Sequence, residues 1–392
     1  MRTFSSLRHR NYRLYFIGQL VSLIGSWTQT TALMWIAHQK TGLAQWPAFL
    51  VAVQIGPTFL FGALGGSLAD RVPKRRLIVA TQSCFLTAAG ILMALYYLDA
   101  LTLWVMLAIM FFHGCVQAID LPARLAFVPG LVPREDLINA VALNSLLFNA
   151  ARAIGPAIAG FLLHVSGPGL CFLVNAISYL AVLFALRLMT LPPEEEIVPA
   201  KTPGGGFGVL SREGRLLALV LVAGLVAIGG WPLLALLPSY AAKVLGRGED
   251  GYSMLLSSVG AGALLAALTA ATYGSETRRR RLLFAGLCLV AMALVGMAAA
   301  SEQIGAMAAC ILFGYGMIMF FATGQSAVQL SVLNQDRGKV MGVWAMMLSA
   351  GVPMGNLVFG PAADAFGLTA VLLAQAGIVL LAASIILFGR VR

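Results

Sequence analysis

The chain has 392 residues, 60% of them hydrophobic and only 10% charged, with a formal net charge of +11. Water-soluble domains carry roughly 25% charged residues, so there are too few ions here to cover a water-facing surface, and the surface is expected to face lipid. The excess of cations is not a nucleic-acid patch: Arg and Lys sit in short segments between apolar runs, where anionic lipid headgroups meet them.

The first segment is basic, with Arg2, Arg8, His9, Arg10 and Arg13, and is expected to stay on the cytoplasmic side. The apolar run that starts near Tyr12 has no small-residue cleavage site after it. It reads as a spanning helix and not as a signal peptide. Twelve runs have the roughly 20-residue length that a bilayer core demands. They fall at 12–38, 47–69, 76–97, 101–120, 137–164 and 168–189, then at 214–242, 250–273, 281–300, 304–325, 338–362 and 368–389. The expected fold is an all-α membrane protein of twelve transmembrane helices in two pseudo-symmetric six-helix halves.

Charge tests this topology. With both termini inside, 22 of the 26 basic residues are cytoplasmic. Lys40, Lys243 and Arg247 are outside, and Arg152 falls within a span. One helix more or fewer upstream would destroy that asymmetry, which follows the positive-inside rule.

Between spans six and seven lies a segment, 190–213, that holds Pro192-Pro193-Glu194-Glu195-Glu196 and Gly204-Gly205-Gly206. Pro, Gly and Glu in succession read as a solvated cytoplasmic linker. It separates an N-terminal half, 1–189, from a C-terminal half, 214–392. The halves echo one another. A basic loop follows the second span of each, Arg71 to Arg76 and Arg278 to Arg281, and the fifth span of each carries Gly and Pro together, at Gly155-Pro156 and at Pro353, Gly355 and Gly360-Pro361. Repeated six-span halves with a site between them are the architecture of secondary transporters.

Ionisable groups at bilayer depth are functional candidates by default, and there are few. Arg152 is the deepest cation, and Asn144 and Gly155 share its helix face. In span four His113, Gln117, Asp120 and Arg124 share a face. Asp120 and His113 are candidates for carrying a proton, with Asp364 near the outer end of span eleven as a third. Asp120 also reads as an end-of-helix carboxylate paired to Arg124. Span one has a polar stripe, Gln19, Ser22, Ser26 and Gln29, which should face the bundle interior because lipid cannot satisfy its hydrogen bonds. With Trp27, Asn149, Trp231, Gln325 and Asn356, these residues predict a largely apolar cavity with a few polar groups. That suits a small amphipathic organic compound.

The same residues exclude other functions. No G-x-x-x-x-G-K-[ST] loop occurs, so direct ATP drive is not expected. The four His residues lack metal-ligand spacing. Cys84, Cys115, Cys171, Cys288 and Cys310 all lie in apolar runs without a CxxC and read as small buried hydrophobes. No enzyme, cofactor or metal site is expected.

The stretch Gly66-Ser-Leu-Ala-Asp70-Arg71-Val-Pro73-Lys74-Arg75-Arg76 resembles the signature between spans two and three of the major facilitator superfamily, G-x-x-x-D-R-x-G-R-R, with Pro73 and Lys74 departing from it. Gly155-Pro156-Ala-Ile-Ala-Gly160 is similar to that superfamily's antiporter signature. Leu7-Arg8-His9-Arg10-Asn11-Tyr12-Arg13-Leu14, Gly18-Gln19-Leu-Val-Ser22, Asp120-Leu-Pro-Ala-Arg124 and Asn175-Ala-Ile-Ser-Tyr179 resemble the enterobactin-exporter and macrolide-efflux branch, the transmembrane secretion effectors. Many drug exporters of the superfamily carry an Arg within span four; here Ile109 to Gly114 has none.

The resemblance implies a monomeric transporter in a bacterial inner membrane. It would export a siderophore-like or drug-like compound by alternating access, driven by protons. Asp70, Arg71 and Arg75, with Gly66, would latch the cytoplasmic side against the start of span eleven near Gly338. Gly155, Pro156 and Gly160 would let span five bend. The rival readings are an importer or lipid flippase on the same fold, and a non-transporting membrane partner of a secretion system.

Overall fold

A computed structural model describes residues 5–190, 206–212, 214–273, 279–332 and 334–388. Every regular element among them is helical, as a bilayer requires, since a helix satisfies its own backbone hydrogen bonds where no water is available. Helices α1 (Arg10–Thr41), α2 (Gln45–Arg71), α3 (Lys74–Tyr97), α4 (Leu103–Phe127), α5 (Leu137–Ser166) and α6 (Pro168–Leu188) are followed by the short α7 (Gly206–Arg212). Then come α8 (Gly214–Gly230), α9 (Leu233–Lys243), α10 (Glu249–Tyr273), α11 (Arg279–Ala299), α12 (Gln303–Ser331), α13 (Asn334–Phe366) and α14 (Leu368–Phe388).

Among the described residues eleven spans are long and apolar enough to cross a membrane, and the chain is a membrane-spanning protein. One of the eleven, Gly214–Lys243, is α8 and α9 together, interrupted at Trp231 and Pro232. Helix α1 is absent from the eleven. Its 32 residues reach about 48 Å at 1.5 Å each, so length is not the reason. Gln19, Ser22, Thr28, Gln29 and Thr31 make it too polar, and all five are buried. The polar stripe read from the sequence thus faces protein.

Glycine punctuates the helices where a left-handed residue is needed. Gly167 (φ +74°) alone separates α5 from α6, and Gly367 (φ +86°) alone separates α13 from α14.

The chain divides into two compact units, Met1–Ile36 with Val53–Lys201, and Ala37–Ala52 with Thr202–Arg392. Most of the expected linker, 191–205 with Glu213, lies outside the described residues, as do Arg278, Arg390 and Arg392. In the first unit α3 packs on α4 and α6. One apolar core joins Tyr12, Tyr15, Ile78, Phe127, Leu143 and Leu186, among others, and a smaller one joins Phe85, Val116 and Tyr179. Gly155 seats α5 directly on α1: a Cβ there would collide with Trp27, and the Thr28 hydroxyl donates to the Gly155 carbonyl at 3.1 Å.

In the second unit α12 packs on α10 and α11, α14 on α11, and α13 on α8. The α10–α12 crossing has no room for side chains. A Cβ on Gly262 would meet the Ile311 carbonyl, and one on Gly314 would meet that of Val259. Such close approach through small residues is how helices associate without a hydrophobic drive. Gly351 and Gly355 seat α13 on α8 in the same manner, against the Gly224 and Ile228 carbonyls.

Candidate functional site

The strongest concentration of buried polarity in the first unit is centred on α4. Thr102 caps this helix, its side chain accepting from the Val105 amide, and Asp120 lies seven residues before the helix ends at Phe127, about 10 Å along it. Asp120 is fully buried and Arg124 is 8% exposed. Helical spacing of four brings their side chains together, with Arg124 Nε 2.7 Å from Asp120 Oδ2. The other carboxylate oxygen accepts from the Thr81 hydroxyl at 2.6 Å and from Gln82 Nε2 at 3.1 Å, both on α3. Arg124 Nη1 donates to Gln19 Oε1 on α1 at 2.7 Å. Three helices are thereby tied to one ion pair. Isolated buried charge is costly, and a pair survives only when its remaining lone pairs and protons are also satisfied.

A crevice opens beside this network, with Tyr15, Gln19, Arg124 and Asn144 as its polar lining and Leu121, Leu125, Val128 and Phe148 as its apolar one. Two residues predicted for the cavity, Gln19 and Asn144, are therefore brought together with Arg124.

Further along the same bundle, His113 is buried and packed against Phe85, ring centroids 4.4 Å apart, with Gln54 Nε2 3.5 Å from its Nδ1. Phe85 stacks on Tyr179, whose hydroxyl is 3.1 Å from that of Ser26. Gln29 accepts from Asn175 at 2.8 Å. Arg152 places its guanidinium carbon 5.3 Å from the centre of the Trp27 ring, a cation–π distance. Asn149 is buried one turn before it, and Gly155, Pro156 and Gly160 are buried on the same helix.

The second unit holds Asp364 in a different setting. Its two oxygens accept from the Ala44 amide at 2.8 Å and the Gln45 amide at 2.9 Å, with Lys243 Nζ 3.6 Å away. The carboxylate thus caps the start of α2, where free amides and the helix dipole favour negative charge. His38 Nδ1 is 2.9 Å from the Ser239 hydroxyl, and a Cβ on Gly360 would press on Ala48. These contacts explain why Ala37–Ala52 groups with the second unit. Asn356 and Gln375 are fully buried there; Asn356 Nδ2 donates to the Val352 carbonyl at 2.9 Å, while both amide atoms of Gln375 lack hydrogen-bond partners. Trp231 stacks on Phe321, which also meets Trp344 edge-on. Gln325 is exposed.

Asp70 and Arg71 are exposed at the last turn of α2, Gly66 is half-buried one turn earlier, and Arg75 is half-buried in the first turn of α3. Pro73 is the cap residue of α3, with ψ 119° and no side-chain capping bond, so the departure from the signature falls at a helix start, where the N–H that Pro lacks is not needed for a helical hydrogen bond. The surroundings of Gly338 lie outside the described residues.

The N-terminal stretch has a role that sequence reasoning missed. His9 Nε2 is 2.7 Å from Asp136 Oδ2, Asn11 Nδ2 donates to the Thr190 carbonyl at 2.8 Å, and the Tyr12 hydroxyl donates to the Ala140 carbonyl at 2.8 Å. This run fastens the start of α5 and the end of α6 to α1. Among the described residues no group of three or more His, Cys, Asp or Glu side chains could hold a metal ion.

The family model described as transmembrane secretion effector matches residues 1–392. The chain is 27% identical over 364 residues to the staphyloferrin A transporter of Staphylococcus aureus, covering 91% of this chain and 90% of that protein. It is 22% identical over 372 residues to macrolide efflux protein A of Streptococcus pyogenes, 92% of each. With the enterobactin exporter EntS of Shigella boydii it shares 26% identity over 380 residues, 90% of this chain and 85% of that one. Among solved structures it resembles a bacterial homologue of the human lysosomal transporter Spinster, with a TM-score of 0.77 at 15% identity over 97% and 96% of the two chains. It also resembles a bacterial homologue of ferroportin, with a TM-score of 0.72 at 16% identity over 97% and 98%.

Proposed function

Because the chain belongs to the transmembrane secretion effector family, a group of membrane transporters of the major facilitator type and not enzymes, we propose that it exports a small amphipathic organic compound from a bacterial cell. The observation that carries this reading is the match over the whole chain to a family whose relatives include a siderophore transporter, a siderophore exporter and a macrolide efflux protein. In this reading α1 joins the eleven apolar spans to make twelve, arranged as two six-helix halves. Both termini are cytoplasmic, the protein sits in the inner membrane as a monomer among its lipids, and the halves alternate access to a site between them. The single-glycine breaks at Gly167 and Gly367, and the glycine seats of α5 on α1 and α13 on α8, support an internal repeat.

The proton gradient is the drive. Asp120 is the proton carrier: protonation removes the charge that Arg124 balances, and the freed guanidinium shifts the hold of α4 on α1. His113, two turns before it on α4, and Asp364, in its clasp, are the secondary candidates. Arg152 and Trp27, with Ser26, Gln29, Asn144 and Asn149 from the first unit and Trp231, Gln325 and Asn356 from the second, form the cargo cavity. Asp70, Arg71, Arg75 and Gly66 form the cytoplasmic latch, and Gly155, Pro156 and Gly160 the bend in α5.

The test is efflux from cells and uptake into inverted vesicles, using a panel of siderophores and macrolides. The reading expects at least one compound to move outward only when the chain is present. Inward accumulation in oriented cells would assign an importer instead. Movement of nothing by purified protein in liposomes would assign a non-transporting partner.

A further inference from the structure

We propose that Thr81 on α3 is the positioning residue that lets Asp120 hold a proton inside the bundle, by turning its one hydroxyl hydrogen between two acceptors. This rests on the reading of Asp120 as the proton carrier and adds the group that receives the carried proton.

A threonine hydroxyl has one hydrogen to give and two lone pairs to accept with. Two acceptors lie within reach of Thr81: Asp120 Oδ1 at 2.6 Å and the Ile78 carbonyl at 3.0 Å. One hydrogen points at one of them at a time. The shorter distance is that of a hydroxyl donating to an ionised oxygen, about 2.5–2.7 Å, and the longer is at the limit for a hydroxyl donor, about 3.0 Å. The hydrogen therefore lies on an ionised Asp120, with the Ile78 carbonyl in reserve. Hydroxyls that bond back to their own helix are ordinary, as Ser26 does to Ser22 and Thr31 to Trp27. Thr81 differs in that its second partner is a buried group whose charge can change.

A neutral carboxyl must donate its proton to something, and Asp120 is fully buried. Oδ2 faces the Arg124 guanidinium at 2.7 Å, and Oδ1 accepts from Gln82 Nε2 at 3.1 Å. Both of those groups are donors only. The Thr81 hydroxyl is the recorded partner that can also accept. On protonation an O–H bond forms at Oδ1, the Thr81 hydrogen swings to the Ile78 carbonyl, and a freed lone pair on the hydroxyl accepts the new proton. Oδ2 is left as a carbonyl beside Arg124, so the ion pair is dissolved without an orphaned proton. The proton comes from water and returns to it, and no electrons move. Other titratable groups sense Asp120 from around it: Arg124 on its own helix, Tyr15 on α1 and Tyr179 on α6. Helix α3 meets it with Thr81 and Gln82, neither of which titrates. Gln82, turned about its amide, would offer Oε1 in place of Nε2, which makes it the rival acceptor.

The probe is the proton itself, read by infrared difference spectra of the full purified chain between acid and alkaline buffer. A protonated Asp120 gives a carboxyl C=O band that the Asp120→Asn variant lacks. Thr81→Ser keeps the hydroxyl and should keep that band in place. Thr81→Val removes the hydroxyl at nearly the same shape, and the band should move to higher frequency, as a carboxyl does on losing hydrogen bonds, or be lost. Thr81→Ala removes the same hydroxyl should Thr81→Val not fold. A band unmoved in Thr81→Val and Thr81→Ala overturns the proposal and leaves Asp120 as the carrier. So does a band that moves in Gln82→Met and not in Thr81→Val, which would give the proton to Gln82. A Thr81→Ser variant that behaves as Thr81→Val also overturns it, because packing and not the hydroxyl would then be at work. If the wild-type chain shows no band that Asp120→Asn removes, the proton-carrier reading itself fails and this proposal with it.

Discussion

Replacing Arg124 with Gln removes one charge from a pair that the fold has almost wholly taken from solvent. Asp120 would keep Thr81 and Gln82 as donors but lose Arg124 as its counter-ion, while Gln19 Oε1 would lose its donor. Removing one partner of a buried pair typically costs about 3–5 kcal/mol, much of it the penalty of the charge left behind. The double variant Asp120→Asn with Arg124→Gln leaves no orphaned charge and keeps hydrogen-bonding shape, so its cost should be about 1–2 kcal/mol. Thermal unfolding of the purified proteins in one detergent, closed as a double-mutant cycle, reads the coupling. A single Arg124→Gln variant that costs under about 0.5 kcal/mol, the range of an exposed pair, would refute the reasoning that this pair ties α1, α3 and α4 together.

Other consequences are open to simpler measurements. Asp364→Ala removes the acceptor of both first amides of α2 and should cost about 1–3 kcal/mol, whereas Asp364→Asn keeps one acceptor oxygen and should cost less; the ranking in thermal unfolding is the check. Gly262→Ala forces a Cβ onto the Ile311 carbonyl and should destabilise by about 1–3 kcal/mol, while Gly56→Ala, where a Cβ meets open space, should be near neutral. Asp70→Asn should cut transport with the protein still folded and inserted, and wild-type efflux from that variant would remove the latch from the account. Trp27→Ala removes the ring under Arg152, an interaction of about 0.5–2 kcal/mol, and should raise the apparent KM for cargo while leaving the yield of folded protein intact.

Eleven spans were legible because lipid imposes a long apolar run on a crossing, and charged segments or, at Gly167 and Gly367, a single glycine mark where runs stop. The interior stripe of α1 was legible for the same reason: Gln19, Ser22 and Gln29 recur at helical spacing in a run that lipid could not solvate. What each polar group touches was not legible. Thr81 and Gln82 look like isolated polar residues in span three, and nothing local says that α3 is rotated to aim both at Asp120. Asp364 reads as one more carboxylate near a helix end. Its partners, the amides of Ala44 and Gln45, are more than three hundred positions away in the chain, and backbone amides leave no mark in sequence. Trp27 and Arg152 were each singled out, but their pairing depends on Gly155 drawing α5 onto α1. The N-terminal run Leu7 to Leu14 stood out as a resemblance only. Its physical content, His9 on Asp136, Asn11 on Thr190 and Tyr12 on Ala140, needed the start of α5 and the end of α6 to be placed first.

The central claim is that a proton moving through Asp120 drives cargo outward, and the most direct measurement is transport by purified protein in liposomes across an imposed pH gradient. Using a compound that the efflux panel identifies, the account predicts that wild-type transport rises with the gradient. Asp120→Asn should bind the same compound with unchanged stoichiometry and lose the response to the gradient. Transport that ignores the gradient in wild type, or that follows it equally in Asp120→Asn, would contradict the account.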